Sequence, residues 1–196
     1  MGISIEIESV RERLVQELPA ELMAHSERVA KYAQELAQRF GYEDDERIEL
    51  AGLLHDNCKH YGREELLALA QRVGYEPDTY ELAAPEVLHA PLGARRLWRD
   101  FAIVDREVML AVAGHTTGGR NLGKLGRIIY CADKLEPARD FPSADHLRSL
   151  AERSSLREFC VAVVAANLDY LSANHRVIHP ASLEFYNELA GKSSHA

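Results

Sequence analysis

The stretch Ala51-Gly52-Leu53-Leu54-His55-Asp56-Asn57-Cys58-Lys59 runs an apolar segment straight into an adjacent imidazole and carboxylate. Upstream of it, Ile48, Leu50, Leu53 and Leu54 recur near the helical period, and Asp44 or Asp45 can cap the first turn. The segment therefore reads as a largely buried helix closed by His55-Asp56. Neighbours on a helix point ~100° apart, so both side chains reach one site only at a helix end or if the aspartate bridges.

The same periodicity extends in both directions. Glu21 to Phe40 is apolar at Leu22, Val29, Tyr32, Ala33, Leu36 and Phe40 and stops at Gly41. Further helices are expected over Arg63 to Val73, from Pro85 to about Trp98, over Asp105 to Gly114 and over Leu122 to Leu135. One or two more fall in Asp145 to Leu171, and a short one follows Pro180 before the polar tail from Gly191. Ile3 to Ile7 alternates, but it is terminal and too short for a strand, so it reads as a frayed end or a helix entry. No repeat appears at a period of ~20–50 residues. The expectation is an all-α bundle of eight to nine helices in one domain over residues 1–196, its core at 20–141 and its C-terminal helices, 144–191, packed on that core.

Composition agrees. With 196 residues, 46% hydrophobic and 28% charged, the chain can bury a sizeable core. Its longest apolar runs, such as Phe159 to Leu168, fall well short of the ~20 residues a membrane span needs. Met1 to Glu8 is acidic where a signal peptide would be positive. Cys58, Cys131 and Cys160 are odd in number and form no CxxC, which argues against a disulfide framework and for a reducing cytoplasm. The net charge of −8 disfavours a nucleic-acid binder. A polyanionic partner would need local cations to outweigh that field.

Nine histidines are many for this length, and their positions matter more than their number. His25 lies inside a strong helix, His55 and Asp56 close the next, His89 adjoins Leu88, and His115 follows Val112 and Ala113. Asp133 follows Ile128, Ile129, Tyr130 and Cys131. Any one such histidine is ordinarily a hydrogen-bonded core or boundary side chain. A buried aspartate is harder to explain, because a carboxylate away from water is costly unless paired or metal-bound. A metal site accounts for all six residues at once, and a carboxylate bridging between histidines suits a dinuclear centre. Two metals ~3.5–4 Å apart can clamp an in-line phosphoryl displacement and supply a hydroxide nucleophile. Nitrogen and oxygen ligands favour iron, manganese, cobalt or zinc.

These residues also carry a resemblance. His25, His55-Asp56 and Asp133 match the H…HD…D signature of the HD-domain metal-dependent phosphohydrolases. The blocks His25-Ser26-Glu27-Arg28, Leu88-His89-Ala90-Pro91-Leu92-Gly93, Gly114-His115-Thr116-Thr117-Gly118 and Ala132-Asp133-Lys134-Leu135-Glu136-Pro137-Ala138-Arg139 narrow it. Together they resemble the YqeK family of bacterial symmetrical diadenosine tetraphosphate hydrolases. Pro91 and Lys134 depart from the usual residues of that family without replacing a ligand. The resemblance implies an iron-type dinuclear centre. His25, His55, Asp56 and Asp133 would hold one metal, and His89 and His115 the other, with Asp56 bridging.

The resemblance further implies cleavage to two ADP by a metal-held hydroxide, with Asp56 and Lys59 in catalytic roles. Lys59, three residues after Asp56, projects to a similar side. Phosphate contacts are expected from Lys59, Arg28, Thr116, Thr117, Gly118 and Arg139, and His146 is a candidate for the nucleoside end. Arg28 has the alternative of pairing with Glu21, Glu27 or Glu35, and Arg139 with Glu136 or Asp140. His60, His175, His179 and His195 read as surface residues. Trp98, Phe101 and the stripe Phe159, Val161, Val164 and Leu168 read as core or a dimer face. Two alternatives stand beside this reading: an HD-type phosphohydrolase of mononucleotides or deoxynucleoside triphosphates, and a nucleotide-sensing binding protein. The expected partner is a small dinucleoside polyphosphate, with no nucleic acid or membrane, and a homodimer stays open.

Overall fold

The computed structural model describes residues 7–191, and these form eleven α-helices with no strand among them. They are α1 (Ile7–Glu17), α2 (Ala20–Phe40), α3 (Asp45–Leu54), α4 (Arg63–Arg72), α5 (Thr79–Ala83), α6 (His89–Asp100), α7 (Arg106–Gly114), α8 (Lys124–Leu135), α9 (Ala144–Leu150), α10 (Leu156–Ala173) and α11 (Pro180–Gly191). None is long and apolar enough to cross a membrane.

The ends of these helices follow from local chemistry. Asp44 accepts from the Arg47 N–H and starts α3, while Asp105 accepts from Glu107 and Val108 and starts α7. Ser155 and Glu158 form a reciprocal capping box on α10. Gly41 closes α2 with φ +67°, the left-handed turn that suits glycine.

The centre of the fold is α3, whose residues Leu50 to Leu54 are all buried, packed between α2, α7 and α8. This C-terminal half of α3, apolar on every side, belongs in the interior, while Asp45 and Glu46 at its start are exposed. It crosses α2 closely at Gly52, where a Cβ would stand 2.5 Å from the Ala30 Cα. The helix α8 buries nine of its residues against α2, α3, α7 and α10. A smaller cluster, Cys58, Leu66, Leu69, Ala70, Leu88 and Leu92, fastens α4 beneath α6. The C-terminal pair packs through α10 onto α8 and α9.

The helix count exceeds eight to nine for identifiable reasons. Ile7 begins α1, a mostly polar helix that buries only Val10 and Leu14; residues 3–6 of the alternating stretch lie outside the described residues, as does His195. The segment from Pro85 divides into a 3-10 turn, Pro85–Leu88, and α6, so His89 stands at a helix start. Ahead of it, α5 is a five-residue helix capped by Asp78 with Glu81. Trp98 is 58% exposed, a surface residue rather than core. Phe101 lies beneath the guanidinium groups of Arg13 and Arg96. Phe159 and Val164 are core, with Val161 and Leu168 packed partly buried against it.

Candidate metal centre

Five helices deliver the six candidate ligands to one place. His25 comes from the middle of α2, His55 and Asp56 from the end of α3, His89 from the start of α6, His115 from the end of α7 and Asp133 from the last turn of α8. All six are buried. Helix ends solve the adjacency problem of His55-Asp56: α3 stops at Leu54, and the following turn lets both side chains face inward.

The cluster divides into two sets that share Asp56. His25, His55, Asp56 and Asp133 offer ligand atoms within 4.8 Å of one another, and so do Asp56, His89 and His115. Asp56 Oδ1 lies 3.2 Å from both His89 Nε2 and His115 Nε2. Asp56 Oδ2 lies 3.2 Å from His55 Nε2 and 3.5 Å from His25 Nε2. Each carboxylate oxygen thus serves one set. Asp133 Oδ1 completes the first, 3.2 Å from His25 Nε2 and 3.7 Å from His55 Nε2.

The outer nitrogens carry the test of metal fit. His55 Nδ1 donates to the Gly52 carbonyl and His115 Nδ1 to the Val112 carbonyl, each at 2.7 Å. His89 Nδ1 donates to the Glu86 carbonyl. His25 Nδ1 donates to Glu136 Oε1 at 3.2 Å. With each Nδ1 so engaged, the neutral tautomer turns a lone pair on Nε2 inward, the arrangement seen around metal-ligating imidazoles. Yet His89 Nε2 and His115 Nε2 stand 3.0 Å apart. Two inward lone pairs do not bond each other; a cation between them resolves the conflict. The donor set of histidine and aspartate suits a divalent transition metal.

The electrostatics are those of a site built for positive charge. Burial opposes the charged forms of Asp56 and Asp133, yet the surrounding histidines, and for Asp133 also Lys134, hold both carboxyls well below the usual range. Burial also works against a charge on His55, but Asp56 and Asp133 outweigh it and raise the imidazole to about 9. Burial pushes His115 down to about 4 despite the Asp56 hydrogen bond.

The expected substrate residues separate. Lys59 donates to Asp56 Oδ2 at 2.7 Å, and Arg139 to Asp133 Oδ1 at 3.0 Å. Thr116 Oγ1 lies 3.0 Å from His115 Nε2 and 3.1 Å from His89 Nε2. All three line a cavity of about 690 Å3 that opens on the metal-ligand cluster. Thr117 and Gly118 are not in its wall; Gly118, at φ +73°, instead lets Phe185 close to where a Cβ would stand at 2.3 Å. Arg28 also lies outside the wall and pairs with Glu136, its Nε 2.8 Å from Oε2. His146 is exposed and away from the cavity wall; His175 is exposed, and His60 and His179 are half-buried.

Two residues have more prominent places than their sequence context indicates. Glu136 is buried between His25 and Arg28 and orients the former. Lys134 Nζ donates to Asp133 Oδ2 at 2.9 Å and to the His115 carbonyl at 3.2 Å, and it lines the cavity. The only sequence signal for Glu136 was its place in the block after Asp133, and for Lys134 its departure from the family pattern.

The HD-domain family model matches residues 22–138. A Bacillus subtilis protein named bis(5'-nucleosyl)-tetraphosphatase, symmetrical, is 31% identical over 91% of this chain and 94% of its own length. A Staphylococcus aureus protein of the same name is 33% identical over 75% of each chain. A crystal structure from Clostridium acetobutylicum, described as a predicted HD superfamily hydrolase involved in NAD metabolism, superposes with a TM-score of 0.88 at 28% identity, covering 95% of this chain and 97% of that one.

Proposed function

The chain belongs to the HD-domain family, in the branch of the symmetrical bis(5'-nucleosyl)-tetraphosphatases, and from that premise we propose that it hydrolyses diadenosine tetraphosphate to two molecules of ADP. The observation that carries this reading is the pair of ligand sets sharing Asp56, open to a cavity whose rim holds Lys59, Lys134 and Arg139. Three cations beside a metal pair suit a polyphosphate, and they reconcile a net charge of −8 with an anionic substrate.

His25, His55, Asp56 and Asp133 would hold one ion and Asp56, His89 and His115 the other, with iron the favoured metal. When bound, the two ions supply Lewis acidity and make water acidic enough to act as a nucleophile near neutral pH. In the reaction, the oxygen of water bonds to an inner phosphorus. The bond from that phosphorus to the central bridging oxygen breaks, and the bridging oxygen leaves with the other ADP. A terminal phosphate has a second pKa of about 6, so its departure needs no strong general acid. Lys59 and Arg139 hold the phosphate oxygens as charge develops, and Lys134 adds a third positive charge at the same wall. Thr116, between His89 and His115, offers a hydroxyl where the phosphate meets the cluster. Three free buried thiols support a cytoplasmic location.

The test is chromatography of the products after the metal-loaded protein is incubated with diadenosine tetraphosphate. ADP as sole product is expected. AMP with ATP would retain hydrolysis but overturn the symmetrical register, and no turnover by protein with metal bound would overturn the assignment.

A further inference from the structure

Asn57 directly follows Asp56 and is wholly buried. Its side-chain amide donates to two carbonyls, that of Leu54 at 2.7 Å and that of Gly93 at 3.2 Å. The first belongs to the last turn of α3, where helical carbonyls lack a partner within the helix. The second lies in α6, four residues after His89. The two elements meet closely there: a Cβ on Gly93 would stand 3.0 Å from Asn57 Nδ2.

Arg96 closes this joint from the side of α6. It is only 6% exposed. Its Nη1 donates to the Asn57 carbonyl at 2.8 Å, while Nη2 donates to Glu17 Oε2 and Nε to Asp100 Oδ2, each at 2.7 Å. A buried guanidinium is costly unless it is paired, and the two carboxylates meet that need. Docking α1 on α6 uses only the arm that meets Glu17. The Nη1 arm reaches instead to the backbone next to Asp56. His89, Gly93 and Arg96 are spaced i, i+4 and i+7, so they share one face of α6. The face that presents a ligand towards Asp56 therefore also grips the residue after it.

We propose that Asn57 and Arg96 are positioning residues that set the shared carboxylate of Asp56 against His89, and so keep the second metal set in register with the first. The inference rests on the reading of the cluster as a dinuclear centre. Asp56 Oδ1 has to reach an ion that His89 and His115 also hold, and ligand distances tolerate only about 0.2 Å. The first set has its own supports. His55 is fixed by the Gly52 carbonyl and His25 by Glu136, and α2, α3 and α8 pack directly on one another. The helix α6 packs on α7 and α4, and Asn57 with Arg96 ties it to the turn after α3.

The experiment is titration of the metal-free full chain with cobalt(II), read by visible absorption and calorimetry, on the wild type, Asn57→Ala and Arg96→Lys. Lysine keeps a positive charge beside Glu17 and Asp100 but loses the fork that reaches Asn57, so this variant keeps the test decisive if Asn57→Ala does not fold. The set with four ligands is expected to fill first. In both variants the ion at Asp56, His89 and His115 should weaken by about 10–100-fold, while the ion at the four-ligand set changes by less than about threefold. A merely structural role would lower the melting temperature of the metal-free chain and weaken both ions alike. Equal weakening of both ions, or wild-type affinity for the second ion in either variant, overturns the proposal. Fewer than two ions in the wild type would overturn the dinuclear reading itself, whereas two ions bound alike by all three proteins would remove only the positioning role. Binding is read without turnover, so the outcome does not depend on which nucleotide is cleaved.

Discussion

Replacing Gly52 by alanine tests how the close crossing of α2 and α3 sets the metal site. An added Cβ would stand 2.5 Å from the Ala30 Cα and 2.9 Å from its Cβ. The first obstacle is backbone, so no side-chain rotation relieves it. Restoring an ordinary 3.4 Å contact requires the helices to part by about 0.9 Å. Overpacking of this kind costs about 1–3 kcal/mol, and the better helix propensity of alanine returns about 1 kcal/mol. A net loss of up to about 2 kcal/mol is expected, a fall of up to about 4–8 °C in melting temperature for a chain of this size.

The larger effect is on metal. Gly52 precedes His55 by three residues and accepts its Nδ1–H, while Ala30 shares α2 with His25. Ligand distances tolerate only about 0.2 Å. Gly52→Ala should therefore lower affinity at the His25–His55–Asp133 set by at least tenfold, read by chelator competition, and affect the His89–His115 set less. Wild-type melting temperature and wild-type metal affinity together would refute the argument.

Other expectations follow from the same geometry. Glu136→Ala leaves His25 Nδ1 and Arg28 without their shared acceptor and should weaken metal binding by about 10–100-fold in a competition titration; unchanged affinity would show that His25 needs no such support. In the metal-free protein His55, raised to about 9, carries a proton at pH 7, whereas His115 at about 4 does not. The His55 charge stabilises the metal-free fold fully below the ordinary histidine pKa of about 6.5, and that stability is lost as pH rises through about 9. Metal binding must displace this proton. Apparent affinity should therefore climb about tenfold per pH unit between about 7 and 9, with proton release measurable by calorimetry in buffers of different ionisation enthalpy. Lys59→Met should reduce kcat/KM for diadenosine tetraphosphate by at least about tenfold, the usual worth of a charged hydrogen bond, with metal content intact; an equal rate would remove Lys59 from the phosphate contacts.

Much of the helical architecture was legible because its determinants are local. The apolar run before His55-Asp56 announces a buried helix and its end, and Asp44, Gly41 and Pro85 sit where caps and first turns require them. What escaped were elements with weak local signals. In α1 only Val10 and Leu14 are buried, and α5 spans five residues, although Asp78 and Glu81 do spell a capping box. The six candidate ligands were legible as a set because a buried aspartate needs a reason and the histidines lie on apolar helices. Their partners were not. Arg28 had local acids within reach at Glu21, Glu27 and Glu35, yet it pairs with Glu136, 108 residues away. Arg139 chooses Asp133 over Glu136 or Asp140, because the turn after α8 folds back on its own last ligand. Gly118 suggested a phosphate loop, and its freedom serves the packing of Phe185 instead.

In the proposed centre, Asp56 joins two metal sites in one cluster. Elemental analysis of metal per chain, on wild type and on Asp56→Ala purified alike, tests it most directly. Two ions per chain are expected in the wild type, one for each ligand set, and fewer than one in the variant, since both sets lose an oxygen. Two ions retained in Asp56→Ala, or none in the wild type after metal loading, would contradict it.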